Sequence, residues 1–485
     1  MSTLKQALAA ASPRISPRPT PVTSMVIHGA VISLWILLFA RAFYGHGVLA
    51  WATGLVYVTY DTLLLVFVAW QTLRLLKPLQ ALKPFMPADA PQATAPSLGV
   101  IVAAYNEATV LPATLAALAA QHDLPEQILL ADDGSNDATA EVLAQHFGLI
   151  APADGEVSQA SPSHPNLRWL RVPHAGKARA LNAALQMIET DIVMTVDADT
   201  LLANTACRAM RDAFSSEAEL VAATGILVPR CGKTLSGRLF EWFQTYEYIR
   251  SFISRAAWMH ADSLLLVSGA FAGFRREAVL TVGGFDPACL VEDYELIHRL
   301  RRYAVEHGKH WQVRVLGTAH AMTEAPGTLP AFLRQRRRWF AGFLQTQYWN
   351  RDMTGNRRFG LLGTVMMPVK AIDTLQPVYG LSAFFLLLIF LMMGRVSILL
   401  PVFSLISAKI VVDFGFHLWS VYLYRRWIGD RTHSNLFYAF TASLAEPFSF
   451  QLLRHLGATL GWIQFLAGRK NWGVQQRVGL DVPLE

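Results

Sequence analysis

Acidic residues recur in this 485-residue chain directly after short apolar runs. Leu98–Ala104 leads into Tyr105-Asn106-Glu107, and Gln127–Ala131 leads into Asp132-Asp133-Gly134-Ser135-Asn136-Asp137. Ile192–Val196 leads into Asp197-Ala198-Asp199. If the runs are parallel strands, their carboxyl ends are where an open sheet binds ligands. Each motif alone is ambivalent, because Asp, Asn and Gly also make turns and helix caps. Asp132-Asp133-Gly134-Ser135 in particular reads equally well as a turn. Three strand ends delivering acids to one edge are harder to explain that way. Asp197 and Asp199, one residue apart in an extended segment, point the same way and suit a divalent cation carrying phosphates. An Asx-type cap on the helix that follows is the alternative.

Three further groups carry chemistry. Gly176-Lys177-Ala178-Arg179-Ala180-Leu181-Asn182 opens a helix, whose free N–H groups together with a cation attract a diphosphate; it lacks the GxxxxGK[ST] spacing of a Walker loop. Gly283-Gly284-Phe285-Asp286 precedes Val291-Glu292-Asp293-Tyr294, where acids at a helix start either compensate the dipole or accept a proton from a hydroxyl. Within the helical stretch 328–350, Gln335, Arg338 and Trp339 stand three and four apart on one face. That face offers an amide, a guanidinium suited to phosphate and an aromatic plane. The bland reading is a basic helix at a membrane surface.

Alternating strands and helices must position these groups. Helical patterns over 109–120, 136–147 and 177–188 separate strands at 98–104, 127–131, 167–172 and 192–196, which predicts a largely parallel sheet covered on both faces. The rest of the chain is apolar. Hydrophobic residues make up 53% and charged residues 16% of the sequence, well below the quarter usual for a soluble domain. With 24 prolines and 32 glycines, a long coiled coil is excluded. The net charge of +7 fits lipid head groups or phosphorylated substrates and does not require nucleic acid. Cys207, Cys231 and Cys289 lie far apart, giving no zinc or disulfide framework.

The expected organisation runs from a polar tail (1–24) through a transmembrane hairpin (25–76) and a proline-rich linker (77–96) to an α/β domain (97–327). Interfacial helices (328–372), transmembrane helices (373–466) and a C-terminal tail (467–485) follow. Runs 25–43 and 48–76 are each long enough to cross a bilayer. Ala40-Arg41-Ala42 mimics a signal-peptide cleavage site, but the second span that follows at once argues against cleavage. Basic flanks (Lys5, Arg14, Arg18, Arg74, Lys77, Lys83) place both ends of the hairpin in the cytosol. The run 361–372, interrupted by Pro368, reads as an interfacial helix, and 375–393 and 396–424 as spans. Residues 436–466 are open between a broken span, a tight pair, and an interfacial helix plus a span. Asp61 lies mid-span, and Lys409, Asp413 and His417 line one face of another span. Such groups either border a polar path or pair to lock helices together.

As an ordered set, these motifs resemble the membrane-bound processive family-2 glycosyltransferases, the hyaluronan, chitin, cellulose and poly-N-acetylglucosamine synthases. The resemblance covers 98–349 with apolar segments on both sides, and includes Thr323-Glu324-Ala325-Pro326 and Gln335-Arg336-Arg337-Arg338-Trp339. It implies an α/β GT-A (Rossmann-like) cytosolic catalytic domain joined to an α-helical transmembrane domain of an inner or plasma membrane. It also implies a UDP-sugar donor, Mg2+ or Mn2+, a growing polysaccharide as acceptor, lipid neighbours and accessory export subunits. Carried over residue by residue, Tyr105, Glu107 and Asp133 would hold the nucleoside, Lys177 and Asp197 the donor, and Asp199 the metal. Asp293 would be the general base of an inverting transfer. Arg338 would stabilise the departing diphosphate, with Gln335 and Trp339 against the acceptor sugar. Trp472 and Arg477 match the family's gating segment only loosely, and Asp61, Lys409 and Asp413 would border the polymer path. UDP-N-acetylglucosamine is the expected donor. The competing expectations are a glycosyltransferase acting on a ceramide- or polyprenyl-type lipid, and a transporter or channel with a regulatory domain.

Overall fold

The structure, a computed structural model, describes residues 2–76, 95–429 and 435–469. Trp472 and Arg477, and most of the expected linker, lie outside the described residues. The chain opens with α1 (Ser2–Ala11), α2 (Val22–Tyr44) and α3 (Ala52–Thr72). It then builds β1 (Leu98–Ala104), α4 (Leu111–Ala119), β2 (Gln127–Asp132), α5 (Thr139–Phe147), β3 (Leu167–Arg171), α6 (Lys177–Met187) and β4 (Ile192–Asp197). Next come β5 (Thr200–Leu202), α7 (Ala206–Ser216), β6 (Leu220–Arg230), α8 (Leu235–His260), β7 (Phe271–Arg275), α9 (Arg276–Thr281) and α10 (Glu292–Glu306). β8 (Gln312–Glu324), α11 (Leu329–Trp349), α12 (Met367–Met392), α13 (Leu399–Ile428), α14 (Leu436–Ala445) and α15 (Phe450–Leu466) complete it.

The eight strands form one sheet in the order β3-β2-β1-β4-β7-β6-β8-β5. Strands β3, β2, β1 and β4 are parallel, as the strand–helix alternation predicts. The other half departs from that expectation: β7 runs antiparallel to both β4 and β6, and β5 antiparallel to β8. Helices α7, α8 and α10 separate these later strands in sequence, but alternation does not fix which strands become neighbours, and β7 inserts antiparallel between β4 and β6. β1 is buried along nearly its whole length, which its unbroken apolar sequence dictates for a strand covered on both faces.

Among the described residues, four helical segments are long and apolar enough to cross a membrane: Val22–Tyr44, Gly47–Leu76, Leu362–Met392 and Val396–Ile428. The expected interfacial helix over 361–372 is not a separate element. A π-helical turn, Leu362–Met366, runs straight into α12, and Pro368 sits in its first turn, where a missing N–H costs nothing. Within 436–466, a 3₁₀ turn at Glu446–Phe448 divides α14 from α15. α15 docks on α11 through Gly457 and Gly461, whose missing side chains make room for Arg336 and Phe340.

The N-terminal segment is not a loose polar tail either. Leu8 of α1 covers Gly283, and Arg14 donates to both carboxylate oxygens of buried Asp286 at 2.8 and 2.9 Å. The same loop is held from inside by Arg299, which is fully buried. Arg299 donates to Glu295 at 2.7 Å and to the carbonyls of Val282 and Gly284 at 2.5 and 2.6 Å. Burial raises the pKa of Glu295, and Arg299 opposes the shift. Removing one partner from a buried, fully bonded pair leaves an uncompensated charge. Arg299→Met is therefore expected to cost about 3–5 kcal/mol, read as a marked fall in melting temperature; an unchanged melting curve would show that the loop does not depend on it.

Candidate active site

Sheet register sets the first half of the site. Ala104 pairs with Asp132 on one side, and Ala103 with Asp197 on the other, so the residues after β1, β2 and β4 emerge side by side. Asp133 is buried, and its carboxylate accepts from the backbone N–H groups of Ala175 (2.8 Å) and Gly176 (2.9 Å). It also pairs with Nδ1 of His174 at 2.8 Å. Gly134 takes φ +72°, and a Cβ there would stand 2.8 Å from the backbone nitrogen of His174, so glycine is needed for this approach. Asp132, the other acid of the pair, accepts from the N–H of Ser135 at 2.9 Å and closes the turn. Asp132 thus closes the turn, while Asp133 holds the 174–176 segment. Tyr105 lies half-exposed with its ring stacked on His174, centroids 4.1 Å apart, and Glu107 is buried nearby in sequence.

Lys177, at the first position of α6, joins this half to the next. Its Nζ lies 2.5 Å from Asp197 and 3.5 Å from Glu292. Burial opposes the charge, but Asp197, Glu292 and then Asp293 outweigh it, and the lysine pKa lies above its ordinary value. Glu292 is buried and its pKa is raised by that burial; Lys177 opposes the shift, Asp293 adds to it, and Arg338 opposes it.

Asp293 is placed by the backbone. Its Oδ2 accepts from the N–H of Gly269 at 2.6 Å and its Oδ1 from its own neighbour, Tyr294, at 2.8 Å. The next residue, Ala270, accepts from the N–H of Asp197 at 3.2 Å. Two adjacent residues therefore bridge Asp293 to the end of β4. Arg338 reaches the carbonyl of Leu290 at 3.4 Å, just ahead of α10. Trp339 is partly buried against the core, with the Arg336 guanidinium 4.8 Å from its ring centroid. Gln335, one turn earlier, keeps a buried Oε1 without a hydrogen-bond partner.

Asp133, Lys177, Asp197 and Asp293 are thus joined by direct bonds or by bridges of one or two residues, and Arg338 bonds the chain three residues ahead of Asp293. Asp199 stands two residues beyond Asp197, buried, with the Thr200 hydroxyl at 3.3 Å and its carbonyl accepting from the N–H of Glu324 at 3.1 Å. The Thr323–Pro326 motif therefore packs against it. Among the described residues, no group of three or more His, Cys, Asp or Glu could hold a metal alone. The pair Asp197 and Asp199 suits a hard cation that completes its shell with phosphate and water oxygens.

Asp61, Lys409 and Asp413 do not belong to this cluster. Lys409 pairs with Asp61 at 2.6 Å and with Asp413, and all three line a cavity of about 720 Å³ among α3, α8, α12, α13 and α15. The three charges pair with one another across helices, in a cavity whose remaining lining is mostly apolar. Sequence reasoning missed His174, Asn182 and Glu247. Asn182 ties α6 to the Gly283–Asp286 loop through bonds of 2.7 and 2.8 Å with Phe285. Glu247 on α8 takes up Arg336 at 2.7 and 2.8 Å. Asn182 stands inside a motif already singled out, and its spacing from Lys177 was the available signal.

Residues 95–342 match the model of the family described as "Glycosyltransferase like family 2", just over half of the chain. The chain belongs to this family. Curated relatives include the poly-beta-1,6-N-acetyl-D-glucosamine synthases of Staphylococcus aureus (strain COL), 27% identical over 244 residues, and of Staphylococcus epidermidis, 26% identical over 252 residues. Each alignment covers 50% of this chain, which spans about half the length of these relatives (53% and 54%). Among solved structures, a mannosyltransferase from Pyrobaculum calidifontis in complex with GDP-Man and Mn2+ superposes with TM-score 0.55 at 18% identity, covering 87% of this chain and 99% of that one. That likeness concerns the fold, and the α/β domain of this glycosyltransferase is GT-A.

Gly269 offers a direct check on the geometry. A Cβ there would stand 2.8 Å from Oδ2 and 3.1 Å from Cβ of Asp293. Gly269→Ala is expected to displace the carboxylate and lower sugar transfer about a hundredfold, at an unchanged melting temperature. Full activity in this variant would mean that Asp293 need not sit where the Gly269 N–H holds it.

Proposed function

We propose that this glycosyltransferase is a hexosyltransferase of the polysaccharide-synthase type, which transfers sugar from a UDP-sugar with inversion to extend a β-linked polysaccharide. Support comes first from one feature: Asp293, anchored by two backbone N–H groups, shares a charge cluster with Lys177 and Asp197. Asp293 accepts the proton of an acceptor hydroxyl as that oxygen bonds to the anomeric carbon, and the bond from that carbon to the diphosphate breaks. Tyr105, Glu107 and Asp133 hold the nucleoside, Lys177 and Asp197 the diphosphate side, and Arg338 the charge that develops on the leaving group. Asp199, with Asp197, would hold Mg2+ or Mn2+; bound there, the ion neutralises diphosphate charge. Gln335 and Trp339 seat the acceptor sugar, the indole giving a stacking plane.

The donor we favour is UDP-N-acetylglucosamine, because the staphylococcal relatives are poly-beta-1,6-N-acetyl-D-glucosamine synthases. Four long apolar helices support a membrane setting, with the GT-A domain on the cytosolic side and the cavity beside Asp61, Lys409 and Asp413 as the path of the growing chain. The bases lining the cavity, Arg250, Lys409 and Arg454, are matched by Asp61, Glu247, Asp413 and Glu446, while the rest of the lining is mostly apolar, so analysis of the product separates a polysaccharide from a lipid acceptor.

Purified full-length protein supplied singly with radiolabelled UDP-sugars and Mg2+ or Mn2+ should release UDP and build a large hydrophilic product from one of them. Asp293→Asn is expected to lower that rate about 10²- to 10⁴-fold at an unchanged melting temperature. EDTA should stop the transfer and added Mn2+ restore it. A product that partitions into organic solvent would replace this reading with the lipid one, and transfer by Asp293→Asn at the parental rate would remove Asp293 as the base.

A further inference from the structure

The segment between β3 and α6 sets an imidazole against the end of β1. Val172 donates to the carbonyl of Asp132 at 2.9 Å, so this segment leaves the sheet beside the end of β2. His174 follows two residues later. Its Nδ1 lies 2.8 Å from Oδ2 of Asp133 and 3.0 Å from that residue's carbonyl oxygen. Both neighbours are oxygens that only accept, so Nδ1 carries the hydrogen. The imidazole is thereby fixed at one nitrogen, while the side chain stays 55% exposed. Its plane lies 18° from that of Tyr105, with the ring centroids 4.1 Å apart.

The backbone beside Tyr105 is held just as closely. Asn106 takes φ +57°, a left-handed conformation uncommon for a residue with a side chain. Its N–H donates to the Ser135 hydroxyl at 2.9 Å, and its Oδ1 accepts from the N–H of Asn136 at 2.8 Å. Backbone kept in a sparsely populated region is a mark of functional sites. The Tyr105 ring itself is 40% exposed, and His174 is the ring stacked against it.

The stacked pair presents a flat apolar surface to solvent, and aromatic planes of this kind take nucleobases whatever their hydrogen-bond pattern. Lys177 stands three residues after His174 at the start of α6, where free N–H groups and the ammonium favour a diphosphate. A base on the ring pair and a diphosphate at the lysine belong to one molecule, a nucleoside diphosphate. Asp133 is not free to contact that nucleoside. Its buried carboxylate accepts from the N–H groups of Ala175 and Gly176 and from Nδ1 of His174, which fills its lone pairs.

We infer that His174 is a positioning residue of the donor site: Asp133 holds its imidazole, and the imidazole fixes the Tyr105 ring as the plane on which the base of the nucleoside diphosphate stacks. This rests on the glycosyl-transfer reading above and gives Asp133 its part in it, since that acid serves the nucleoside through His174.

The test uses purified full-length protein, UDP-N-acetylglucosamine as donor, and UMP and UDP as inhibitors of transfer. In His174→Ala the donor KM should rise about tenfold at an unchanged kcat. The inhibition constants of UMP and UDP should rise by that same factor, because both carry the base. His174→Phe, which keeps a ring against Tyr105, should recover part of the loss. Because the imidazole acts through Tyr105, adding His174→Ala to Tyr105→Ala should weaken the donor no further. A histidine that only stabilises the fold would lower the melting temperature and leave the donor KM where it was, which overturns the inference. So does a loss larger for UDP than for UMP, which belongs to the phosphates, and so do losses that multiply in the double variant. Should His174→Ala fail to fold, His174→Asn, which keeps an N–H for Asp133 without the ring, is decided by the same constants. A parental protein that transfers sugar from no UDP-sugar would instead sink the functional reading itself.

Discussion

Lys177 is a cation that the fold has taken out of water and surrounded with carboxylates. Its ammonium group is held by Asp197 and Glu292, with Asp293 close behind, and their combined attraction overcomes the cost of burial. These acids come from the end of β4 and the start of α10, nearly a hundred residues apart, and the lysine from the first turn of α6. None can move alone, because each departure leaves a buried charge unpaired. The end of β4 and the starts of α6 and α10 are therefore one electrostatic object, and the rest of the domain keeps it assembled.

That support is built in layers. Asp133 holds the 174–176 backbone, which sets where α6 begins; Asn182 ties the same helix to the Gly283–Asp286 loop. Arg299 grips that loop from beneath and Arg14 from outside, so the approach to Glu292 and Asp293 is fixed on both faces. α8 and α11 are tied to each other through Arg336 and Glu247, and α15 presses on α11 through its glycines.

The parallel half of the sheet and its helices were legible in the sequence because each strand there is a buried apolar run followed by an amphipathic helix. The antiparallel half was not, since β7 follows α8, whose sequence mixes aromatic and charged residues without a clean stripe, and inserts between β4 and β6. Asp133, Lys177, Asp197 and Asp293 stood out because strand ends and helix starts are where polar side chains converge. Glu247 did not, because a charged residue on a mixed helix looks solvated until its neighbours are known. The N-terminal helix escaped notice for a related reason: its partner, Gly283, is distant in sequence, and a short alanine-rich segment shows no strong period. Pro368 misled, because a proline that breaks a helix interior is harmless in its first turn.

The claim that one charge cluster serves both substrates is best tested by a double-mutant cycle on kcat/KM for sugar transfer, using Lys177→Met, Asp293→Asn and the double variant. If the two side chains act as a unit, the double variant should be about as impaired as the worse single one. Losses that simply multiply, as for independent sites, would contradict the account and separate the donor site from the base.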